Sequence, residues 1–200
     1  MLLPITRLLL IANVAIFLLQ FVLGDLLIIW FALWPFHTPH ELGVRFLPWQ
    51  VITYGFLHGG LLHLGFNMLA LYMFGGQIEA VFGPRRFLIY YLGCVFAAAL
   101  TQLAVSTLSG GPPVPTVGAS GGVFGLLLAY GMLFPRRILV LIFPPIPMPA
   151  WLFVTLYGLL ELYLGVTGTQ AGIAHFAHLG GMFGGWLLIR QWRRRPPGER

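Results

Sequence analysis

The sequence has few charged residues and no lysine. Charged residues make up 8% of its 200 positions, whereas 58% of the residues are hydrophobic. A soluble domain of this length needs roughly a quarter of its residues charged to cover its surface with polar groups. The composition therefore excludes a soluble protein and predicts an all-α integral membrane protein. The length leaves room for about six spans of ~20 residues each.

Three further shortages exclude particular kinds of chemistry. The single cysteine, Cys94, lies in an apolar stretch, so the chain has no disulfide framework. The single aspartate, Asp25, excludes an aspartyl intramembrane protease, because that reaction needs two opposed aspartates. No H-E-x-x-H motif is present, and no glutamate adjoins a histidine within an apolar stretch. We therefore expect neither a metal site nor a cofactor.

Arginine alone provides the positive charge, and its positions predict topology. The formal net charge is +6. Basic proteins are candidates for nucleic-acid binding, but most of these arginines lie at the ends of apolar stretches, where arginine orients a protein in the membrane. We therefore expect the lipid bilayer as a partner and no nucleic acid. The arginines concerned are Arg7, Arg85, Arg86, Arg136, Arg137, Arg190, Arg193, Arg194 and Arg195.

Six apolar stretches predict six membrane spans. Their approximate bounds are 8–29, 57–80, 87–105, 119–134, 150–166 and 173–189. The connection 30–50 is rich in aromatic residues and proline, which is typical of a loop in the membrane interface. We expect one membrane core over residues 1–192 and a basic cytoplasmic tail over 193–200.

The arginine positions agree with both termini in the cytoplasm, since only Arg45 then lies outside. Ser120, His178 and His63 would lie near the outer ends of spans four, six and two. Polar groups inside a membrane are costly and usually functional, so we expect a functional site toward the outer side. The chain shows no transit-like leader and no soluble domain, which favours a prokaryotic cytoplasmic (inner) membrane.

A serine among glycines is the strongest candidate for chemistry. Residues 118–122 match G-x-S-x-G, but the apolar flanks lack the strand that a hydrolase-type nucleophile elbow requires. Ser120 could act as a nucleophile with His178 as its base. Gly181 and Gly185 would let two helices approach closely enough for this contact. The alternative is that the glycines only pack helices and that Ser120 caps one. Spacing alone leaves both interpretations open.

Three motifs in register resemble the rhomboid family of intramembrane serine proteases, in its minimal six-span form. The resemblance extends over essentially the whole chain. The motifs are Gly118-Ala119-Ser120-Gly121, His63-x-x-x-Asn67, and Ala177-His178-Leu179-Gly180-Gly181 with Gly185. The resemblance implies a six-transmembrane-helix rhomboid-like bundle. It also implies a serine endopeptidase that cleaves single-span membrane proteins near the outer part of their transmembrane helix.

The same resemblance implies roles for individual residues. Ser120 and His178 would form a catalytic dyad without an acidic third member. The side chains of His63 and Asn67, with the backbone N–H of Ser120, would hold the oxyanion, and Gly118 lies beside them. A donor of this kind typically contributes ~3–4 kcal/mol to transition-state stabilisation.

Other positions are assigned less directly by the resemblance or depart from it. His58 matches a supporting histidine of the family, and Gln50 stands where the family often has arginine. His175 is expected either to form a hydrogen bond near the site or to begin a helix in water. Glu161 is expected to snorkel or pair near the surface, and Glu79 to be structural. The alternative function is a catalytically silent relative that binds or routes membrane proteins.

Overall fold

The computed structural model describes residues 3–141, 144–168 and 174–194, and within them the chain is mostly helical. A π-helical segment, Leu71–Gly75, joins the helices Leu61–Ala70 and Gly76–Phe82 into one continuous helix. The α-helices are α1 (Pro4–Leu23), α2 (Asp25–Phe31), α3 (Gln50–Thr53), α4 (Leu61–Ala70), α5 (Gly76–Phe82), α6 (Pro84–Ser109), α7 (Ser120–Leu133), α8 (Ala150–Thr167) and α9 (His175–Arg194). The strands are β1 (Ile138–Val140) and β2 (Pro147–Pro149).

Four helical segments of the described chain are long and apolar enough to cross a membrane: α1, α4 with α5, α6, and α8. Helix α7 is apolar but has 14 residues. Its length is about 21 Å, less than the ~30 Å of a bilayer's hydrocarbon core. Helix α9 ends in a basic segment that contains Arg190 and Arg193. The all-α membrane class is therefore confirmed, and the count of six spans remains a prediction.

Helix α7 lies inside the bundle, which explains how a short helix is accommodated there. Most of its residues are buried, including Gly122, Gly125 and Leu126. A Cβ added at Gly122 would lie 2.6 Å from the ring of Tyr91, and one at Gly125 would overlap Cys94 on α6. Small residues thus bring α6 and α7 into close contact. Helix α7 is surrounded by other helices, so its length need not match the bilayer.

The first predicted span is interrupted, which corrects the expectation of one helix over 8–29. Helix α1 ends at Leu23, and Gly24 adopts φ 52° and ψ −131° before α2 begins at Asp25. Glycine adopts a positive φ without the steric cost that a side chain imposes. The carboxylate of Asp25 also favours a helix start, because helix N-termini are partially positive. The break was not predicted, because the residues before and after it form apolar runs that read as one span.

Two further segments complete the fold. Between Arg137 and α8, the strands β1 and β2 pair antiparallel in the register Ile138↔Pro149. Helix α9 continues through Arg194, so the expected tail at 193–200 begins inside a helix. The rest of that tail, and the expected sixth-span start at Ile173, lie outside the described residues.

A buried carboxylate attaches α1 to α5. Glu79 accepts hydrogen bonds from the backbone N–H of Ile5 at 2.9 Å, the N–H of Thr6 at 2.8 Å and the Thr6 hydroxyl at 2.7 Å. The first N–H groups of a helix have no acceptor within the helix, so this carboxylate satisfies donors of α1. We call these three residues the Glu79 cluster. The contacts agree with the structural role expected for Glu79.

Three helices begin at one end of the bundle and bring the candidate residues together there. His63 lies in the first turn of α4, Ser120 is the first residue of α7, and His178 lies in the first turn of α9. Glu79 follows Asn67 by 12 residues on the continuous α4–α5 helix, so it is about 18 Å further along the axis. The Glu79 cluster is therefore separate from the candidate site.

Candidate active site

Ser120 and His178 are in direct contact. The Oγ of Ser120 lies 2.9 Å from the Nε2 of His178. The approach of α7 to α9 that permits this contact depends on glycine, because a Cβ on Gly181 would overlap the carbonyl group of Gly121. The glycines therefore pack the helices and also bring the two side chains together. The interpretation of Ser120 as a helix cap is wrong, because Ala119 is the N-cap of α7 and the Ser120 hydroxyl contacts His178 instead.

Aromatic stacking fixes the plane of the His178 ring. Phe124, one turn after Ser120 on α7, stacks on His178 with ring centroids 4.1 Å apart and planes 7° apart. Tyr157 of α8 also stacks with Phe124, with ring centroids 5.3 Å apart and planes 5° apart. We did not predict a role for Phe124. Its i, i+4 relation to Ser120, which puts both on one helix face, was the signal available in the sequence.

Glu161 is hydrogen-bonded to His178, although no acidic third member was expected beside the dyad. Its Oε2 lies 2.8 Å from the Nδ1 of His178 and 2.7 Å from the Nδ1 of His175. Glu161 and His175 are each 5% exposed, so the expectation that His175 begins a helix in water is wrong. Glu161 is 14 and 17 residues away from the two histidines. Spacing within one helix therefore could not reveal the contact.

Gly118 leaves room for the ring of His63 beside Ser120. Its φ is +131°, and a Cβ there would lie 2.7 Å from Cε1 and 2.8 Å from Nε2 of His63. The N–H of Gly59 donates to the Nδ1 of His63 at 3.4 Å. In the neutral imidazole the proton is then on Nε2, which faces Gly118. His63 therefore offers an N–H donor next to Ser120.

Asn67 lies one turn below His63 and lines the same cavity as Ser120. Its Nδ2 donates to the backbone carbonyl of His63 at 3.0 Å. The amide nitrogen carries a second hydrogen that this bond does not use. The structure thus brings Asn67 to the expected neighbourhood, and its role in holding an oxyanion remains a prediction.

His58 lies behind His63 in the loop before α4. It is 2% exposed, and neither ring nitrogen has a hydrogen-bond partner in the described part of the chain. Burial lowers the pKa of His58 to about 4, so the ring is neutral at physiological pH. Its ring packs edge-on against His63 with centroids 5.2 Å apart. Gln20 of α1 holds its backbone through bonds of 3.0 Å and 3.1 Å. These contacts fit a supporting position.

The first loop is held by Gln50, where the resemblance had suggested arginine. Gln50 is fully buried at 0% exposure. Its Oε1 accepts the N–H of Trp34 at 3.2 Å, and its Nε2 donates to the carbonyls of Arg45 at 3.2 Å and Trp30 at 3.4 Å. An amide both donates and accepts, so an uncharged residue can fix this loop.

The candidate residues surround a cavity of about 820 Å³. Ser120, His178, His63 and Asn67 all line it. Its other walls include apolar residues of α4 and α8, among them Phe66, which is 63% exposed. Glu161 is the one carboxylate among the residues described as lining the cavity.

Glu161 and the two histidines bonded to it offer atoms that could bind a metal ion. The candidate ligand atoms of Glu161, His175 and His178 all lie within 4.8 Å of one another. In the structure the Nδ1 atoms of both histidines are hydrogen-bonded to Glu161. A metal ion on the Nδ1 of His178 would replace that hydrogen bond, because the nitrogen cannot hold both a proton and a metal. The expectation of no metal site remains a prediction.

Fold and site together define a class of protein. A polytopic helical membrane protein encloses a serine hydroxyl hydrogen-bonded to an imidazole, with N–H donors beside it. The family model of the rhomboid domain matches residues 45–195, which is more than half of the chain. The chain belongs to the rhomboid family.

Individual relatives agree with this assignment. The chain is 33% identical over 153 residues to the mitochondrial rhomboid protein 1 of Saccharomyces cerevisiae, covering 70% of this chain and 42% of that protein. It is 30% identical over 141 residues to rhomboid protease GluP of Bacillus subtilis, covering 70% and 25%. It is 28% identical over 196 residues to rhomboid protease GlpG of Yersinia pestis, covering 96% and 63%. The chain thus spans 25% to 63% of these relatives' lengths.

Proposed function

We infer that this protein is an intramembrane serine endopeptidase. The observation on which the inference rests is the 2.9 Å contact between Ser120 Oγ and His178 Nε2 in a cavity of the helix bundle. Two relatives of the chain are named rhomboid proteases. Nucleophile and base within hydrogen-bond reach are the signature of an activated serine.

The reaction proceeds through an acyl-enzyme. The Oγ of Ser120 attacks the scissile carbonyl carbon while its proton passes to the Nε2 of His178. His178 then gives this proton to the leaving amine as the C–N bond breaks. A water molecule in the cavity next attacks the ester, His178 takes its proton, and Oγ is released and reprotonated.

Donors around Ser120 would stabilise the oxyanion. The Nε2–H of His63 faces Gly118, next to the serine. The backbone N–H of Ser120 belongs to the first turn of α7, where N–H groups have no acceptor within the helix. Asn67 adds an amide from one turn further along α4. Donors in such positions act mainly on the charge that develops in the transition state.

The substrates would be single-span membrane proteins whose outer segment contains helix-breaking residues. A peptide bond within a stable helix is closed to a nucleophile, because its carbonyl is packed and hydrogen-bonded. Entry from the bilayer would pass between α4 and α8, whose residues Phe66 and Leu160 line the cavity. The arginine distribution supports cytoplasmic termini and an active site toward the outer side of the membrane.

The first test is labelling by a fluorophosphonate in mild detergent. We expect the parent protein to be labelled, because the serine displaces fluoride from the reagent. Ser120→Ala and His178→Ala should both abolish labelling, and both should abolish cleavage of a transmembrane substrate in proteoliposomes. Labelling that survives Ser120→Ala would mean that another nucleophile acts. A folded but unlabelled parent would instead favour a silent relative that binds or routes membrane proteins.

A further inference from the structure

Glu161 connects two histidines through a single oxygen. Its Oε2 lies 2.7 Å from the Nδ1 of His175 and 2.8 Å from the Nδ1 of His178. A carboxylate oxygen can only accept hydrogen bonds, so each Nδ1 must be the donor. The carboxylate is buried, at 5% exposure, and these two donors replace part of the hydration that it loses.

This arrangement determines the tautomer of His178. Because Nδ1 carries the donated proton, the Nε2 of the neutral ring is unprotonated. That nitrogen lies 2.9 Å from the Oγ of Ser120 and therefore accepts the serine proton. In the other tautomer Nε2 would hold a proton of its own, and Ser120 would have no base. Glu161 thus favours the one tautomer in which His178 can act.

His175 has a different relation to the site. Its Nδ1 is held by Glu161, its Nε2 has no partner among the described residues, and its ring centroid is 6.3 Å from that of His178. Ser120 is bonded to His178 and not to His175. The contribution of His175 is therefore to fix the carboxylate of Glu161, since it anchors the same oxygen from a second direction.

We propose that Glu161 is a positioning residue for His178 and is itself held in place by His175. The three residues Glu161, His178 and Ser120 then form a hydrogen-bonded triad rather than a dyad. The proposal rests on the proposed function above. When His178 receives the serine proton, its positive charge forms next to the carboxylate, where it is stabilised. The proton on Nδ1 stays on His178 while the proton on Nε2 is taken up and released, so Glu161 orients the ring and stabilises its positive charge without itself being protonated.

The test uses the purified full chain in proteoliposomes and compares Glu161→Gln with Glu79→Gln. Both substitutions remove one buried charge from an apolar helix and keep the side-chain shape. We expect Glu161→Gln to lower kcat and the fluorophosphonate labelling rate by about 10- to 100-fold with little change in KM. Glu161→Asp should recover part of the loss. Glu79→Gln should lower the unfolding midpoint and leave kcat unchanged.

His175 provides a second test, in which His175 and Glu161 are replaced singly and together. We expect His175→Leu to lower kcat several-fold, because the carboxylate is then held by one donor. Since His175 acts through Glu161, the double variant should fall no further than Glu161→Gln. Losses that multiply in the double variant would overturn the role assigned to His175.

The remaining outcomes separate this proposal from its rivals. An unchanged kcat in Glu161→Gln, with only a lower unfolding midpoint, would make Glu161 structural and overturn the proposal while the proposed protease function stands. A parent protein that is folded but neither labels nor cleaves would overturn the protease function itself. Activity that is lost in EDTA and restored by Zn²⁺ would overturn the proposed triad in favour of a metal site at the same residues.

Discussion

Glu79 and Glu161 are both glutamates buried on apolar helices, yet their partners differ. Glu79 accepts two backbone N–H groups and a hydroxyl from Ile5 and Thr6. Glu161 accepts two imidazole N–H groups, one of them from the histidine that contacts Ser120. The two side chains are almost equally hidden, at 2% and 5% exposure. Burial of a charge therefore does not distinguish their roles.

The partners distinguish them. A backbone N–H keeps its proton and its place in the helix, so the carboxylate of Glu79 can only hold α1 against α5. An imidazole exchanges its proton near neutral pH, so a carboxylate beside it affects proton transfer. A buried ionisable group in a membrane protein is often taken as functional. The comparison shows that burial alone does not identify a functional carboxylate; the groups that donate hydrogen bonds to it must also be known.

The largest expected effect is on stability, from Glu79→Ala. The change leaves the first N–H groups of α1 buried without their acceptor. We expect the free energy of unfolding to fall by about 3–5 kcal/mol, measured by unfolding in mixed micelles. Labelling of Ser120 per folded molecule should stay at the parental rate. A parallel loss of labelling in the folded fraction would contradict the assignment of a purely structural role to Glu79.

The next largest effect concerns the close packing of α7 against α9, which the Ser120–His178 contact requires and the Glu79 cluster does not. Gly181→Ala places a methyl group against the carbonyl of Gly121. We expect a loss of about 2–3 kcal/mol in stability, with a strong fall in labelling because α9 moves away from Ser120. The control is Gly76→Ala near the Glu79 cluster, where a Cβ meets nothing within 4 Å. That control should be neutral or slightly stabilising, and equal losses in both variants would contradict the packing argument.

Thr6→Val tests a single hydrogen bond of the Glu79 cluster. The substitution keeps the shape of the side chain and removes the hydroxyl that lies 2.7 Å from Glu79 Oε2. We expect unfolding to become easier by about 1.5 kcal/mol, with kcat unchanged. Thr155→Val is the matched control, because its hydroxyl bonds only the Trp151 carbonyl of its own helix. A change of similar size in the control would show that the loss of stability does not come from the hydrogen bond to Glu79.

The smallest expected effect is that of Phe124→Leu on the site. The variant removes the ring that stacks on His178 at 4.1 Å. Stacked pairs contribute about 1 kcal/mol, so we expect a labelling rate several-fold lower and a small loss of stability. Labelling rate and unfolding midpoint should be measured on the same preparation. A labelling rate equal to that of the parent would show that Glu161 alone orients the His178 ring.

Several features of this protein could be predicted from local sequence. The low charge and the apolar stretches determined the membrane class, because a chain with so few charged residues cannot cover a surface in water. Ser120 and His178 were identified as a candidate pair and are in contact. His63 and Asn67 lie on one helix face, as their i, i+4 spacing requires.

Only the tertiary structure decided what the two glutamates and His175 do. Their contacts join different helices, and the pairing depends on how α1 meets α5 and how α8 meets α9. Periodicity describes one helix at a time, so it identifies neither partner. The break at Gly24 is marked locally by Gly24 and Asp25, but the apolar runs before and after them read as one continuous span. Local sequence determined which residues lie in the membrane, and packing between helices determined which of them meet.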